Sequence, residues 1–180
     1  GGERQGELAN ALFDPSGWSP AIASILNITP NHLDRHATMD RYVAAKAQIV
    51  KHQEANDVTV LNRDDSIVRK MGRDTERTRR VSWFSLERPV GRGAYLEGDA
   101  LAVCNGKQKE IVCKTTELKL LGRHNTANVL AACALASAAG APLSAQRQAA
   151  TTFAGVEHRL QLVRERAGVR WYDDSIATAP

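Results

Sequence analysis

The spacing of apolar residues changes several times along the chain, and each change predicts an element. The run Ala21-Ile22-Ala23-Ser24-Ile25-Leu26 has the length and composition of a buried strand. Over residues 38–54 the period lengthens. Met39, Tyr42, Val43, Ile49 and Val50 recur at helical steps and make one apolar stripe, and Thr38 is placed to cap that helix. Val58 and Val60 alternate with polar neighbours in a short strand, closed by the turn formers Asn62-Arg63-Asp64-Asp65-Ser66. Residues 66–80 are polar and arginine-rich, which predicts a short helix and a loop.

From Val81 to Leu121 the runs shorten and are split by Glu97-Gly98-Asp99 and by the hairpin signal Asn105-Gly106, so a small antiparallel β insert is expected there. Thr126–Ala139 is an alanine-rich helix stopped by Gly140 and Pro142, and Ser144 opens another that runs to about Phe153. Gly168-Val169-Arg170-Trp171-Tyr172 reads as a last strand. Strands alternating with helices predict an α/β fold: a Rossmann-like mixed, mostly parallel sheet flanked by helices, with the insert at about 81–121. Gly155–Arg166 reads as a hinge. It divides a central domain, 1–158, from 159–180, the start of a second domain.

Composition narrows the class without choosing within it. The 180 residues are 43% apolar and 24% charged, as in an ordinary globular chain. No apolar run approaches the roughly 20 residues of a membrane span, and no secretory leader opens the sequence. Cys104, Cys113 and Cys133 are odd in number and show no C-x-x-C spacing, which disfavours a disulfide framework or zinc site and suits a reducing cytoplasm. The net charge of +4 allows anionic substrates without requiring them. The arginine-rich run from Arg69 to Arg80 has no interleaved aromatics and is broken by Asp74 and Glu76, so it reads as a solvated face and not as a nucleic-acid site. The glycine-rich start and the polar Asp173-Asp174-Ser175 close to the end lead us to expect a fragment of a longer chain.

Candidate chemistry concentrates at a few points. Asn27-Ile28-Thr29-Pro30-Asn31-His32-Leu33-Asp34-Arg35-His36 follows the first strand, at the end where open α/β sheets place ligands. His32, Asp34 and His36 are plausible metal ligands, or polar loop residues with capping roles. Lys46 falls on the apolar stripe of the next helix. Its stem could pack there with the ammonium in water. Alternatively the amine is partly desolvated and neutral, able to take up carbon dioxide as a metal-binding carbamate. Asn125 and Asn128 lie one turn apart at a helix start, where their amides could read an adenine edge, or Asn125 could simply cap the helix. Arg159 in the hinge could clamp a phosphate or stay in solvent, and the Asp173-Asp174 pair could accept from ribose hydroxyls or form a turn.

In this order, the segments Asn27–His36, Tyr42-Val-Ala-Ala-Lys46, Leu121-Gly-Arg-His-Asn-Thr-Ala-Asn128, Gly155-Val-Glu-His-Arg-Leu160 and Trp171–Thr178 resemble the Mur ligase family, over roughly residues 20–180 and most of all its D-glutamate-adding members. The resemblance implies a cytoplasmic, ATP- and Mg²⁺-dependent ligase of peptidoglycan precursor synthesis. Such an enzyme adds D-glutamate to UDP-N-acetylmuramoyl-L-alanine through an acyl phosphate and works as a monomer. It implies that His32 and a carbamylated Lys46 hold Mg²⁺, that Asn125, Asn128, Arg159 and Asp174 contact ATP, and that Thr178 lies near the D-glutamate site. The family's phosphate loop ending in G-K-[ST] is absent from these residues, so the chain alone is expected to be inactive. In place of the family's Glu-Leu-Ser-Ser-type metal segment stands Glu7-Leu8-Ala9-Asn10, which leaves Glu7 as the available ligand, and Ile176 stands where many relatives carry lysine. The competing readings are another Mur ligase, a folylpolyglutamate synthase-like ligase, or a non-catalytic nucleotide-binding module.

Overall fold

The structure, a computed structural model, describes residues 17–29, 38–76, 78–159 and 161–175. The elements run β1 (Ile22–Ile25), α1 (Met39–Lys51), β2 (Val58–Asn62), α2 (Ser66–Thr75), β3 (Arg80–Ser85), β4 (Arg92–Glu97), β5 (Ala100–Asn105), β6 (Lys109–Lys114), α3 (Arg123–Ala138), α4 (Leu143–Thr152), β7 (Gln161–Arg166) and β8 (Val169–Asp173), with a 3₁₀ turn at Thr115–Glu117.

Strands β1 to β6 form one sheet in sequential order. The pairings from β1 to β4 are parallel, and β4–β5 and β5–β6 are antiparallel. The fold is therefore α/β with a mixed sheet, as the alternation of elements predicts. The antiparallel part starts one strand later than Val81, because Arg80–Ser85 is a parallel strand pairing with both β2 and β4. Val81 through Ser85 are all buried, so β3 shows a continuous run instead of the period of two, as strands covered on both faces do.

Side chains alternate across the sheet and supply two cores. Ile25, Leu61, Trp83 and Tyr95 point to one face, where α1 brings Tyr42 and Val50 and α2 brings Val68. Val60, Phe84, Ala94 and Val103 point to the other, where α3 brings Leu130, Ala131, Cys133 and Ala134 and α4 brings Ala150. Leu61, Leu101 and Leu130 are fully buried, each stabilising by about 1.5–3 kcal/mol. The small side chains of α3 let it lie close across β1 to β4.

Two turns match their sequence signals. Asn105 Oδ1 accepts from the amides of Lys107 and Gln108, and Gly106 takes φ +92°, closing the β5–β6 hairpin. Thr38 Oγ1 accepts from Arg41 N and caps α1. Gly93 is required by close approach: at φ +124°, a Cβ there would lie 1.8 Å from the Trp83 carbonyl oxygen. Among the described residues, strands β7 and β8 pair only with each other, beyond Gly155 at φ +107°.

Candidate functional site

The parallel strands β1 to β3 end on the same side of the sheet, and two aspartates tie their ends together. Asp64 accepts from Ser85 Oγ and Leu86 N, both at 2.6 Å, joining the end of β2 to that of β3. Asp65 caps α2 and also accepts from Ile28 N at 3.0 Å, joining β2 to the loop after β1. In sequence these residues read only as a turn. Their role depends on partners at least twenty positions away, which local spacing does not reveal.

Lys46 faces that loop. It lines a cavity of about 390 Å³ together with Ser24, Ile25, Leu26, Asn27, Ala45 and Ile49. It is exposed, its ammonium 5.5 Å from the centre of the Tyr42 ring, where the cation–π attraction holds it. Of the two readings of Lys46, partial desolvation of the amine is thus not what the structure shows, and the ammonium stays in water. Tyr42 and Val50 turn into the core, and Lys46, one turn from each, sits at the edge of that stripe with its amine in solvent. Ser24 also lines that cavity, but its register partner Val60 faces α3, so its buried hydroxyl, without a hydrogen-bond partner among the described residues, points to the face of the sheet opposite Lys46. His32, Asp34, His36 and Glu7 lie outside the described residues. Among the described residues, no group of three His, Cys, Asp or Glu is placed to hold a metal.

A second cluster forms where α3 begins. Gly122, at φ +93°, is the N-cap, and no side chain caps the helix. Asn125 is therefore not the cap. Its Nδ2 instead donates to Leu121 O at 2.7 Å, and Asn128 Nδ2 donates to Asn125 Oδ1 at 3.4 Å. Asn125 is half-buried, Asn128 exposed, and both lie on one face. Asn125 and Arg159 line one cavity of about 570 Å³, with Lys119, Tyr172, Glu165 and Arg170 among its walls. The structure thus brings together two residues that stand 34 positions apart in the chain (159 − 125). Arg170 Nε donates to Glu165 Oε2 at 3.0 Å, while the Arg159 guanidinium makes no ion pair among the described residues. This volume lies in the range of small-molecule sites.

The strand-end aspartates divide their tasks. Asp173 Oδ2 meets His158 Nδ1 at 2.7 Å, and its Oδ1 accepts from Ser175 N at 3.0 Å. The bond to His158 and then those to Ser175 hold the Asp173 carboxyl below its ordinary value. His158 adopts φ +64°, which aims its ring back at β8. Asp174 is exposed. Thr178 and Ile176 lie outside the described residues. Among the described residues, no helix is long and apolar enough to cross a membrane.

The chain matches known proteins over almost its whole length. Residues 13–136 match the model of the Mur ligase middle domain. It is 44% identical over 97% of its length to a UDP-N-acetylmuramoylalanine–D-glutamate ligase from Clostridium kluyveri, of which it covers 36%. It is 46% identical over 88% of its length to the ligase of that name from Clostridium novyi, of which it covers 33%. The chain thus spans about a third of the length of these curated relatives. Among solved structures, MurF from Acinetobacter baumannii superposes with a TM-score of 0.68 at 23% identity, over 87% of this chain and 34% of that one. MurF from Thermotoga maritima in complex with ADP superposes at 0.60 and 20% identity, over 87% and 35%. These two establish the fold. The family model spans more than half of the residues, and the chain belongs to the Mur ligase family.

Proposed function

We propose that the full-length protein containing this chain joins D-glutamate to UDP-N-acetylmuramoyl-L-alanine, using ATP and Mg²⁺, in cytoplasmic peptidoglycan precursor synthesis. The observation that carries this is the 44% identity, over 97% of the chain, to a ligase named for that product. The cavity shared by Asn125 and Arg159 supports a nucleotide there. Half-buried Asn125 offers its remaining amide hydrogen and carbonyl lone pair to an adenine edge, with Asn128 beside it. Arg159, without an ion pair among the described residues, offers its fork from the cavity wall to a phosphate or ribose oxygen, and Asp174 is a ribose acceptor. His32, Lys46 as a carbamate, and Glu7 are the proposed Mg²⁺ ligands. Thr178 is the proposed contact to D-glutamate.

Bound ATP and Mg²⁺ would supply the phosphoryl group that makes the acyl phosphate and the charge that stabilises it. The protein is proposed to be monomeric, without nucleic acid or membrane partners. Residues 1–158 are assigned to a central ATP-binding domain and 159–180 to the hinge and first strand of the next. The 180 residues contain no G-K-[ST] loop, so ligation is assigned to the full-length protein and not to this chain alone. The test is amine specificity of the full-length enzyme with Mg²⁺-ATP, offering D-glutamate, L-alanine and meso-diaminopimelate, each with its matching nucleotide-sugar acceptor. At least 100-fold preference for D-glutamate is expected. Preference for another amine would move the protein to another ligase of the family. Absence of turnover with all three would leave a nucleotide-binding module.

A further inference from the structure

The end of the sheet where the parallel strands begin carries a polar cavity that no step of the proposed ligation uses. Its volume is about 340 Å³, and its walls include Arg80, Ser82, Arg92, Asn105, Asn56 and Ser137. It lies opposite the strand ends held by Asp64 and Asp65, about 16 Å away along β3.

Strand register explains how these side chains converge. Arg92 on β4 pairs with Asn105 on β5, and Trp83 pairs with Gly93, which makes Ser82 and Arg92 adjacent residues on neighbouring strands. Arg80 stands two residues before Ser82 and shares its face. All four lie on the face whose next residues inward, Phe84, Ala94 and Val103, pack against α3. The helix ends at Ala138, and Ser137 and Ala138 line the cavity. Where the helix stops covering the sheet, the same face turns from apolar to cationic.

No group among the described residues neutralises the two guanidiniums. Neither Arg80 nor Arg92 makes an ion pair or side-chain hydrogen bond among the described residues, and no carboxylate lines the cavity. Like charges on neighbouring strands are destabilising. Capping α3 does not account for them. Three of the last four carbonyls of that helix are taken by backbone amides: Leu135 O by Ala139, Ala136 O by Ala141 and Ser137 O by Gly140. The other polar walls add donors. Asn105 Oδ1 is occupied by the turn amides of Lys107 and Gln108, which leaves its Nδ2 to donate.

We infer that the cavity bounded by Arg80, Arg92, Ser82 and Asn105 binds a phosphate group. Two guanidinium forks match phosphate oxygens bidentately, and the amide and hydroxyl complete a set of donors around an acceptor-only anion. The volume exceeds that of a lone phosphate and leaves room for a small ester.

Arg80 and Arg92 lie outside the cavity of Asn125 and Arg159, so their replacement reports on this place and not on the nucleotide site. In the full-length protein, binding of inorganic phosphate and of glycerol 3-phosphate is measured by titration calorimetry, at constant ionic strength set with chloride, in the parent and in R80Q/R92Q. The double variant is expected to bind one or both probes at least threefold more weakly. A loss for inorganic phosphate alone identifies the free anion as the ligand class, and a larger loss for the ester identifies a phosphomonoester. Both arginines are exposed and like-charged, so the variant should unfold at or above the temperature of the parent. No binding by the parent, or equal binding by a folded double variant, would overturn the inference.

Discussion

Asp65 holds Ile28 across 37 positions of sequence: one carboxylate oxygen accepts the Ile28 amide at 3.0 Å, and the other accepts the amides of Ile67 and Val68 at 2.9 Å. Three donors on two elements depend on one side chain. Ile28 is 3% exposed, so losing its acceptor leaves a buried amide unpaired. Asp65→Ala should cost about 2–3 kcal/mol, from a lost cap and an unpaired donor together. Asp65→Asn keeps one acceptor and should cost about half as much. Urea unfolding of both variants checks the ratio.

Gly72 sits in α2, where alanine would ordinarily stabilise by about 1 kcal/mol. Here a Cβ would lie 2.1 Å from Trp83 Cη2 and 2.9 Å from Leu61 Cδ1. The indole has little freedom to swing aside, since its Nε1 donates to Glu76 Oε1 at 2.6 Å. Overpacking should outweigh propensity, and Gly72→Ala should destabilise by about 1–2 kcal/mol net. A raised melting temperature would contradict this.

Asn125 links the cavity it shares with Arg159, proposed above to take the nucleotide, to the chain that enters α3. With Asn125→Ala, the full-length protein should bind Mg²⁺-ATP about tenfold more weakly, near the worth of one or two hydrogen bonds. Its stability should fall by no more than about 1 kcal/mol, because only the Leu121 bond and the long, exposed one from Asn128 are lost from the fold. Titration calorimetry and thermal unfolding on the same sample separate the two effects.

The three cysteines should differ in reactivity. Burial, followed by the neighbouring Cys113, pushes the Cys133 thiol up to about 12, and burial also raises Cys113. At pH 8 in the native protein, iodoacetamide should label Cys104 and leave the other two untouched until denaturant is added. Mass spectrometry of native and unfolded samples reads this directly.

The hairpin of β7 and β8 should loosen in acid. The Asp173 carboxyl is lowered from its ordinary value of 3.8, chiefly by His158, so its ionised form is favoured in the folded state. That contribution is complete above the ordinary carboxylate range and is lost as pH falls through the depressed value. Amide exchange in residues 161–173 should therefore rise below pH 3.8, and the rise should be absent in Asp173→Asn.

Much of the fold was legible because it rests on short periods. The stripe of α1, the alanine-rich α3 and the Asn105-Gly106 turn each declare themselves within a few residues. Strand β3 did not, since a strand buried on both faces loses its alternation, and its parallel pairing is a long-range fact. The site was legible in part. Asn125 and Arg159 do share a cavity, but Lys46 is exposed, because a residue at the edge of a helical stripe can turn either way. Asp65 and Ser24 went unread, for a lone aspartate in a turn and a lone serine in a strand carry no local signal of a distant partner or of its absence.

The isolation of β7 and β8 has a practical side. A two-stranded hairpin is marginal by itself in water. Leu162, Val163, Val169 and Trp171 on it are each at least half exposed, so little packing holds it against the six-stranded sheet. It can open while that sheet stays closed. Trypsin added to the native chain should therefore cut first at Arg164, Arg166 and Arg170. The trimmed product would keep the cavity of Arg80 and Arg92 and lose much of the wall that Arg159 shares with Asn125, so digestion would separate the two sites physically.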